Sequence, residues 1–308
     1  MIKIEEIPFG GWARNVLISN GQIEVVVTKE VGPRIIRCAF VGKPNLFLEM
    51  PGEMGITGGA EWHIFGGHRL WHAPEANPRS YNPDNDPVRV VKTEKGGIFT
   101  QSVEKLTGIE KEIEVEMDEN ENHVRVIHRL KNHNLWPVEL APWALSAMTT
   151  NGIAIIPQEP YQSWSENLLP VRPMVLWGYT RMDDPRWRFG NKYVTLKQDP
   201  KNTSPNKAGF GNKQGWGAYL FENYLFVKVA PYKAGTCYPD MGCSFEVYTD
   251  HRFLELESLG PLVNLKPQET VEHIEHWFLF EGVKMENTDE SIDQNLLPLV
   301  QKILSRIQ

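Results

Sequence analysis

Between Gly58 and Glu75 the chain reads GGAEWHIFGGHRLWHAPE, which gathers three histidines (His63, His68, His72), Arg69, Trp62, Trp71, Glu61 and Glu75 into one short stretch. Imidazoles and carboxylates can move protons, a guanidinium can fork onto oxygens, and flat rings can cover an apolar face. Together on a loop they form the surface that a polar small molecule requires. The glycine pairs Gly58-Gly59 and Gly66-Gly67 favour a looped segment over a helix interior. The plainer alternative is a loop whose tryptophans cap a core and whose histidines are satisfied by backbone.

A second stretch, Arg252-Phe-Leu-Glu-Leu-Glu-Ser258, alternates like a strand, with Leu254 and Leu256 on one face and Glu255 and Glu257 on the other. The two carboxylates then stand ~7 Å apart at Cα. In a partly desolvated cleft their repulsion would raise one pKa toward that of a general base working near neutrality. On an exposed strand they would simply face water. Gly260-Pro261 ends the strand and can open a cleft there. Upstream, CYPDMGCSFE brings Tyr238, Asp240 and Glu246 together, with Lys228 on the preceding strand; Asp240 before Gly242 also suits a turn. Lys207 and Arg172 are expected in loops, each solvated.

His63, His68, His72 and Glu75 are ligand types for zinc, but their spacing matches no helical zinc signature, and no metal or other cofactor is expected. There is no phosphate-cradling glycine array and no GxSxG elbow. Ten tryptophans are many for 308 residues. Trp62, Trp71, Trp164, Trp177 and Trp187 fall in irregular segments rich in Arg and Asp. Stacking rings beside hydrogen-bonding groups match a sugar, which offers an apolar C–H face and a rim of hydroxyls.

The elements that must position these groups are strands. Residues 22–28 and 34–41 form an antiparallel pair preceded by an Asn20-Gly21 hairpin turn. Proline- and asparagine-rich residues 74–87 form a long loop near the site. Alternating or β-branched runs follow at 88–93, 97–103, 109–117, 123–130, 138–148 and 152–157. In the 109–117 run, Lys111, Glu112, Glu114 and Glu116 mark a solvated face. Residues 160–210 are aromatic and irregular. Strands resume at 217–222, 225–229, 244–249, 252–258 and 272–280. Residues 289–307 carry apolar positions at helical spacing, kinked or restarted at Pro298. About fifteen short strands with almost no helix indicate an all-β fold, a large antiparallel sandwich in one domain over 1–308 with a short C-terminal helix.

Composition bounds the partners. Net charge is −7 with no basic block, which argues against nucleic acid and anionic membrane. The hydrophobic fraction is 41%, ample for a core. Cys38, Cys237 and Cys243 have no metal-type spacing and suggest a reducing compartment. With neither a signal peptide nor a run long enough to span a bilayer, the expectation is a cytoplasmic protein.

Across most of its length the sequence resembles the galactose-mutarotase-like (aldose 1-epimerase-like) superfamily, and more narrowly a bacterial and archaeal branch of it. The resemblance is carried by Gly66-Gly-His-Arg-Leu-Trp-His-Ala-Pro-Glu75, Pro137-Val-Glu-Leu-Ala-Pro-Trp-Ala-Leu145, Tyr238-Pro-Asp240, Leu254-Glu-Leu-Glu-Ser-Leu-Gly-Pro-Leu262, Leu265-Lys-Pro-Gln-Glu-Thr270 and His276-Trp277. It implies a β-supersandwich with a sugar cleft on one sheet face. In the enzymes of that group a late glutamate is the base, a histidine the acid, and an early arginine holds the sugar. Arg69 resembles that arginine, and Glu255 or Glu257 the base, with Glu255 aligned by the enzymes' LE-x-Q pattern. The mid-chain Asn-His-x-Tyr-Phe signature is not found; Glu139-Leu-Ala-Pro-Trp143 stands in its place. The acid would therefore be His68 or His72.

The function expected is carbohydrate binding, with aldose 1-epimerase-like isomerisation by acid–base ring opening. Glu255, Glu257 and His68 would be the catalytic groups. Arg69, Trp71, His72, Glu75, Lys228, Tyr238, Asp240 and Glu246 would hold the sugar. A non-catalytic sugar-binding or sensing module is the alternative, and a metal-dependent lyase or isomerase using His63, His68, His72 and Glu75 a third.

Overall fold

The computed structural model describes residues 1–307. Two antiparallel sheets face one another, one of eleven strands and one of ten. The first runs Lys3–Phe9, Trp12–Ser19, Ile23–Thr28, Ile35–Phe40, His68–Ala73, Val138–Met148, Leu254–Leu259, Phe245–Thr249, Asn206–Phe210 and Met174–Leu176, with Val263–Leu265 paired to one end of Val138–Met148. The second runs Trp187–Phe189, Tyr193–Lys197, Ile153–Pro157, Trp216–Phe221, Tyr224–Val229, Thr270–Phe280, His123–Asn132, Ile109–Met117, Gly96–Thr100 and Arg89–Lys92.

The strand patterns follow from what lies on each face. Ile109–Met117 keeps Ile109, Ile113, Val115 and Met117 in the core and turns Glu110, Glu112, Glu114 and Glu116 outward. Lys111 departs from the solvated face expected for it: it occupies an inward position and pairs with Glu104 at 2.5 Å. His68–Ala73, Val138–Met148 and Leu254–Leu259 are buried on both faces nearly throughout. One side meets the second sheet, and the other is roofed by aromatic loops. Phe47, Phe226 and Trp277 interlock edge to face at the sheet–sheet interface, where each fully buried ring contributes about 1.5–3 kcal/mol.

Asn20-Gly21 makes the expected hairpin turn: Asn20 Oδ1 accepts from the backbone N–H groups of Gln22 and Ile23 at 2.9 Å each. The tail forms two helices, Asp289–Asn295 and Leu297–Ile307, so the chain restarts at Pro298, whose ring is tolerated in a first helical turn. Thr288 caps the first helix by accepting from Ser291 N–H. Two further features differ from the sequence expectations. Lys3–Phe9 and Trp12–Ser19 are strands that alternation alone did not mark. The segment 160–210 is not irregular throughout; it supplies Met174–Leu176, Trp187–Phe189, Tyr193–Lys197 and Asn206–Phe210.

Candidate functional site

The Gly58–Glu75 stretch is loop up to Gly67 and strand over His68–Ala73. Gly66 and Gly67 adopt φ of 106° and 67°, and a Cβ there would stand 2.1 Å from the Leu48 carbonyl oxygen and 2.5 Å from the Ile35 carbonyl oxygen. Only glycine lets the chain pass so close to its neighbours before it enters His68–Ala73. Buried Arg34 fixes the approach, donating to the carbonyls of Ile64 at 2.8 Å and of His63 and Gly66 at 3.3 Å. From Gly67 onward the strand places Arg69 and Trp71 on the sheet's outer face, and His68 and His72 on the face toward the second sheet.

Register carries the outer face across the sheet. Arg69 pairs with Leu145, Leu145 with Glu257, Glu257 with Glu246, and Glu246 with Gly209. In the adjacent row Ala147 pairs with Glu255, Glu255 with Tyr248, and Tyr248 with Lys207. Charges then link diagonally between the rows. Arg69 Nη2 donates to Glu255 Oε1 at 2.9 Å. Lys207 Nζ donates to Glu257 Oε2 at 3.1 Å and lies 2.8 Å from Glu246 Oε2, an ion contact without hydrogen-bond alignment. Trp143 Nε1 donates to Glu257 Oε2 at 2.7 Å.

Above this floor lies a cavity of about 460 Å³, within the range of small-molecule sites, whose walls include Trp62, Trp71, Trp143, Trp177 and Tyr179. Rings back both cations: Arg69 lies 4.6 Å from the Trp71 centroid, and Lys207 lies 4.6 Å from Trp143 and 4.7 Å from Trp177. Burial raises the Glu255 carboxyl above its ordinary value; Arg69 opposes the rise and Glu257 adds to it. Burial also pushes Glu246 well up, against Lys207. For Lys207 burial works against the charge, but Glu246 and Glu257 outweigh it and hold the ammonium well above its usual value.

The two candidate bases are thereby separated. Glu255 lines the cavity, while Glu257 is fully buried under Lys207 and Trp143. Arg69, Trp71 and Glu75 also line it, and Asp240 lines an adjoining space. Glu246 belongs to the floor beneath.

Other expected site residues stand elsewhere. His68 is turned away from the cleft: its Nδ1 meets Ser146 Oγ at 2.8 Å and its Nε2 meets His128 Nε2 at 2.7 Å, between the sheets. His72, two strand periods on, shares that orientation and lies 3.9 Å from Glu104. The reason is parity: on a strand, neighbours of Arg69 and Trp71 must face the other way. Lys228, also between the sheets, forms an ion pair with Glu275 Oε1 at 2.9 Å and donates to the Leu256 carbonyl at 2.9 Å. Tyr238 stacks on Tyr232 at 4.9 Å and lies outside the cavity wall. Of the middle tryptophans only Trp177 reaches the cleft; Trp187 stacks on Phe189 in the second sheet and Trp164 is 82% exposed. Lys207, expected as a solvated loop cation, is 4% exposed on a strand. No local pattern in NKAGF marks that burial; the pairing with the strand bearing Glu246 is long-range.

His63, His68, His72 and Glu75 do not converge as a metal set. Among the described residues, the ligand-type groups that do cluster are His68, His128 and Glu275, with atoms within 4.8 Å of one another. Those atoms are already engaged: the two imidazoles with each other, and Glu275 with Lys228 and with Ser258 Oγ at 2.5 Å.

Comparison with solved structures identifies the architecture. A galactose mutarotase-like protein from Lactobacillus casei aligns with a TM-score of 0.54 at 10% identity, covering 86% of this chain and 100% of that one. A galactose mutarotase-like protein from Clostridium acetobutylicum aligns at 0.55 and 9% identity, covering 91% and 99%. The fold is galactose mutarotase-like. A TPR-domain containing protein from Parabacteroides distasonis aligns at 0.58 and 11% identity, covering 90% of this chain and 49% of that one. No family model and no curated protein sequence matches the chain. Among the described residues no helix is long and apolar enough to cross a membrane.

Proposed function

We propose that the chain binds a saccharide in this cleft and opens its ring by acid–base chemistry, as an aldose 1-epimerase-like isomerase. The observation that carries the proposal is Glu255: a buried carboxylate at the cavity wall, oriented by Arg69, in a cavity that Lys207 also lines from two strands away. Their strands are two spacings apart, ~10 Å between backbones, with Tyr248 on the strand between, and the cavity of about 460 Å³ that all three line has room for a pyranose.

Glu255 takes the proton of the anomeric hydroxyl. The O–H electrons form the carbonyl at C1, the bond from C1 to the ring oxygen breaks, and the ring oxygen takes a proton from Lys207. Rotation about C1–C2 and reclosure by the reverse steps give the other anomer. The raised carboxyl pKa makes Glu255 a stronger base than an exposed glutamate, and Glu246 and Glu257 keep Lys207 protonated as the donor. Tryptophan faces take the C–H face of the sugar, as rings do at desolvated anchors. Partner and location follow the same proposal: a small-molecule carbohydrate, in the cytoplasm.

A second reading is favoured by the orientation of His68. With that imidazole facing the other sheet, the donor is a lysine held well above neutrality, a weak acid by the Brønsted criterion. A binding or sensing module would keep the same cleft without turnover. Calorimetric titration with a panel of aldoses tests the shared claim. Binding of at least one aldose, lost in Arg69→Lys because a point charge replaces a fork, supports it; heat-silent titrations across the panel refute it.

A further inference from the structure

The cleft does not end at Glu255. A second space of roughly 490 Å³ adjoins it, bounded by Glu75, Ala76, Asn77, Tyr81, Trp177 and Asp240. Glu75, Tyr81 and Trp177 also line the inner cavity, so the two form one trough, with Trp177 and Tyr81 where they meet. The chemistry changes along it. The inner part holds Arg69, Lys207 and Glu255; the outer part presents two carboxylates, an amide, a phenol and an indole face, with no cation among its walls.

The outer carboxylates are placed rather than adrift. Asp240 sits at φ 49° and Met241 at φ 60°, a left-handed pair that Asp tolerates better than most residues. This turn, between Tyr238 and Cys243, faces Asp240 toward the trough. Glu75 accepts from Tyr81 Oη, which joins one acceptor to the edge of the aromatic wall. Burial raises the Asp240 carboxyl above its ordinary value, with Lys207 opposing, so an incoming negative charge would meet two carboxylates, one of them in a place that already disfavours its charge.

We propose that the ligand is a saccharide of at least two residues. Its second residue would lie in the outer subsite against Trp177, with hydroxyl or ammonium groups donating to Glu75 and Asp240. The subsite accepts an uncharged or amino-bearing second residue and rejects one carrying carboxylate, sulfate or phosphate. This inference rests on the saccharide reading of the inner cleft and adds the length and charge of the ligand.

The test is titration calorimetry of the full chain at pH 7 with glucose, galactose and mannose, with maltose, cellobiose, lactose and mannobiose, with the glucosamine dimer, and with a disaccharide ending in a uronic acid at the outer position. A disaccharide is expected to bind at least tenfold more tightly than its inner monosaccharide, the amino dimer at least as well, and the uronate form at least tenfold more weakly. Asp240→Asn, which keeps shape and backbone preference, should recover part of the affinity for the uronate form. Trp177→Ala should shrink the ratio of disaccharide to monosaccharide affinity. Equal affinity for one and two residues, or for neutral and uronate forms, overturns the inference while the inner-site reading stands. If no saccharide of either length binds, that reading falls and takes the inference with it.

Discussion

Arg69 and Glu255 are 186 positions apart in the chain and 2.9 Å apart in the cleft, both almost wholly out of water. The pair joins the first strand of the site to the last, and each charge is tolerable there because of the other. Arg69→Gln should therefore cost about 3–5 kcal/mol at pH 7, the range for orphaning one member of a buried pair. The sign with pH is fixed. Without Arg69 the folded Glu255 holds its proton even more readily, so the deficit is small below the ordinary carboxylate value of ~4.3 and grows as pH rises through the raised folded value. Urea unfolding at pH 4.5 and pH 7 measures it. An equal deficit at both would contradict the coupling.

Trp71 lies behind Arg69 and beside Trp62 and Trp143, at ring separations of 5.9 and 5.4 Å. A sugar filling the cavity changes the surroundings of several indoles at once, so intrinsic fluorescence should shift on titration. Trp71→Ala should weaken binding by ~1–3 kcal/mol, as for loss of an aromatic anchor. An unaltered dissociation constant would remove Trp71 from the binding surface.

Between the sheets, burial holds His128 and His273 down to about 3, and His68 well below its usual value. These rings stay neutral in the fold while the unfolded chain's histidines take up protons near ~6.5. Stability from them is complete above that pH and is lost as pH falls toward 3. The raised carboxyls of Glu246 and Glu255 act in the opposite sense, so the ring signals report more cleanly than the melting temperature. Imidazole chemical shifts recorded from pH 7.5 to 4 should stay flat for these three; a titration near 6.5 would show that water reaches them.

How far the sequence disclosed this site depends on which physical rule each residue obeys. Glu255 was singled out by alternation along its strand, and Arg69 and Trp71 by the density of functional side chains around them and by the family resemblance; all three line the cavity. His68 and His72 were assigned to the cleft by sequence proximity to Arg69, and strand parity sends them to the opposite face. Their stretch was read as loop because its glycines dominate the local signal, yet only Gly66 and Gly67 enforce the turn. Lys207 was hidden for a different reason: its burial depends on Glu246 and Glu257, which reach it only through cross-strand register. Register between strands fifty residues apart leaves no local pattern. The sandwich itself was plain from alternation, but the first two strands and those within 160–210 were not, among them the edge strands Lys3–Phe9 and Met174–Leu176.

The central claim is that Glu255 is a base acting on a bound sugar. It is tested by polarimetry of freshly dissolved pure anomers, with binding followed in parallel. The protein should speed the return to anomeric equilibrium, with an acid limb whose apparent pKa lies above the ordinary glutamate range, because protonation of Glu255 ends its role. Glu255→Gln should lower the acceleration by ~10²-fold or more while leaving binding within about tenfold, since the amide keeps the shape and loses the proton transfer. A wild type that binds an aldose without accelerating its mutarotation, or a Glu255→Gln variant as fast as the wild type, would contradict the claim and leave the cleft as a binding site alone.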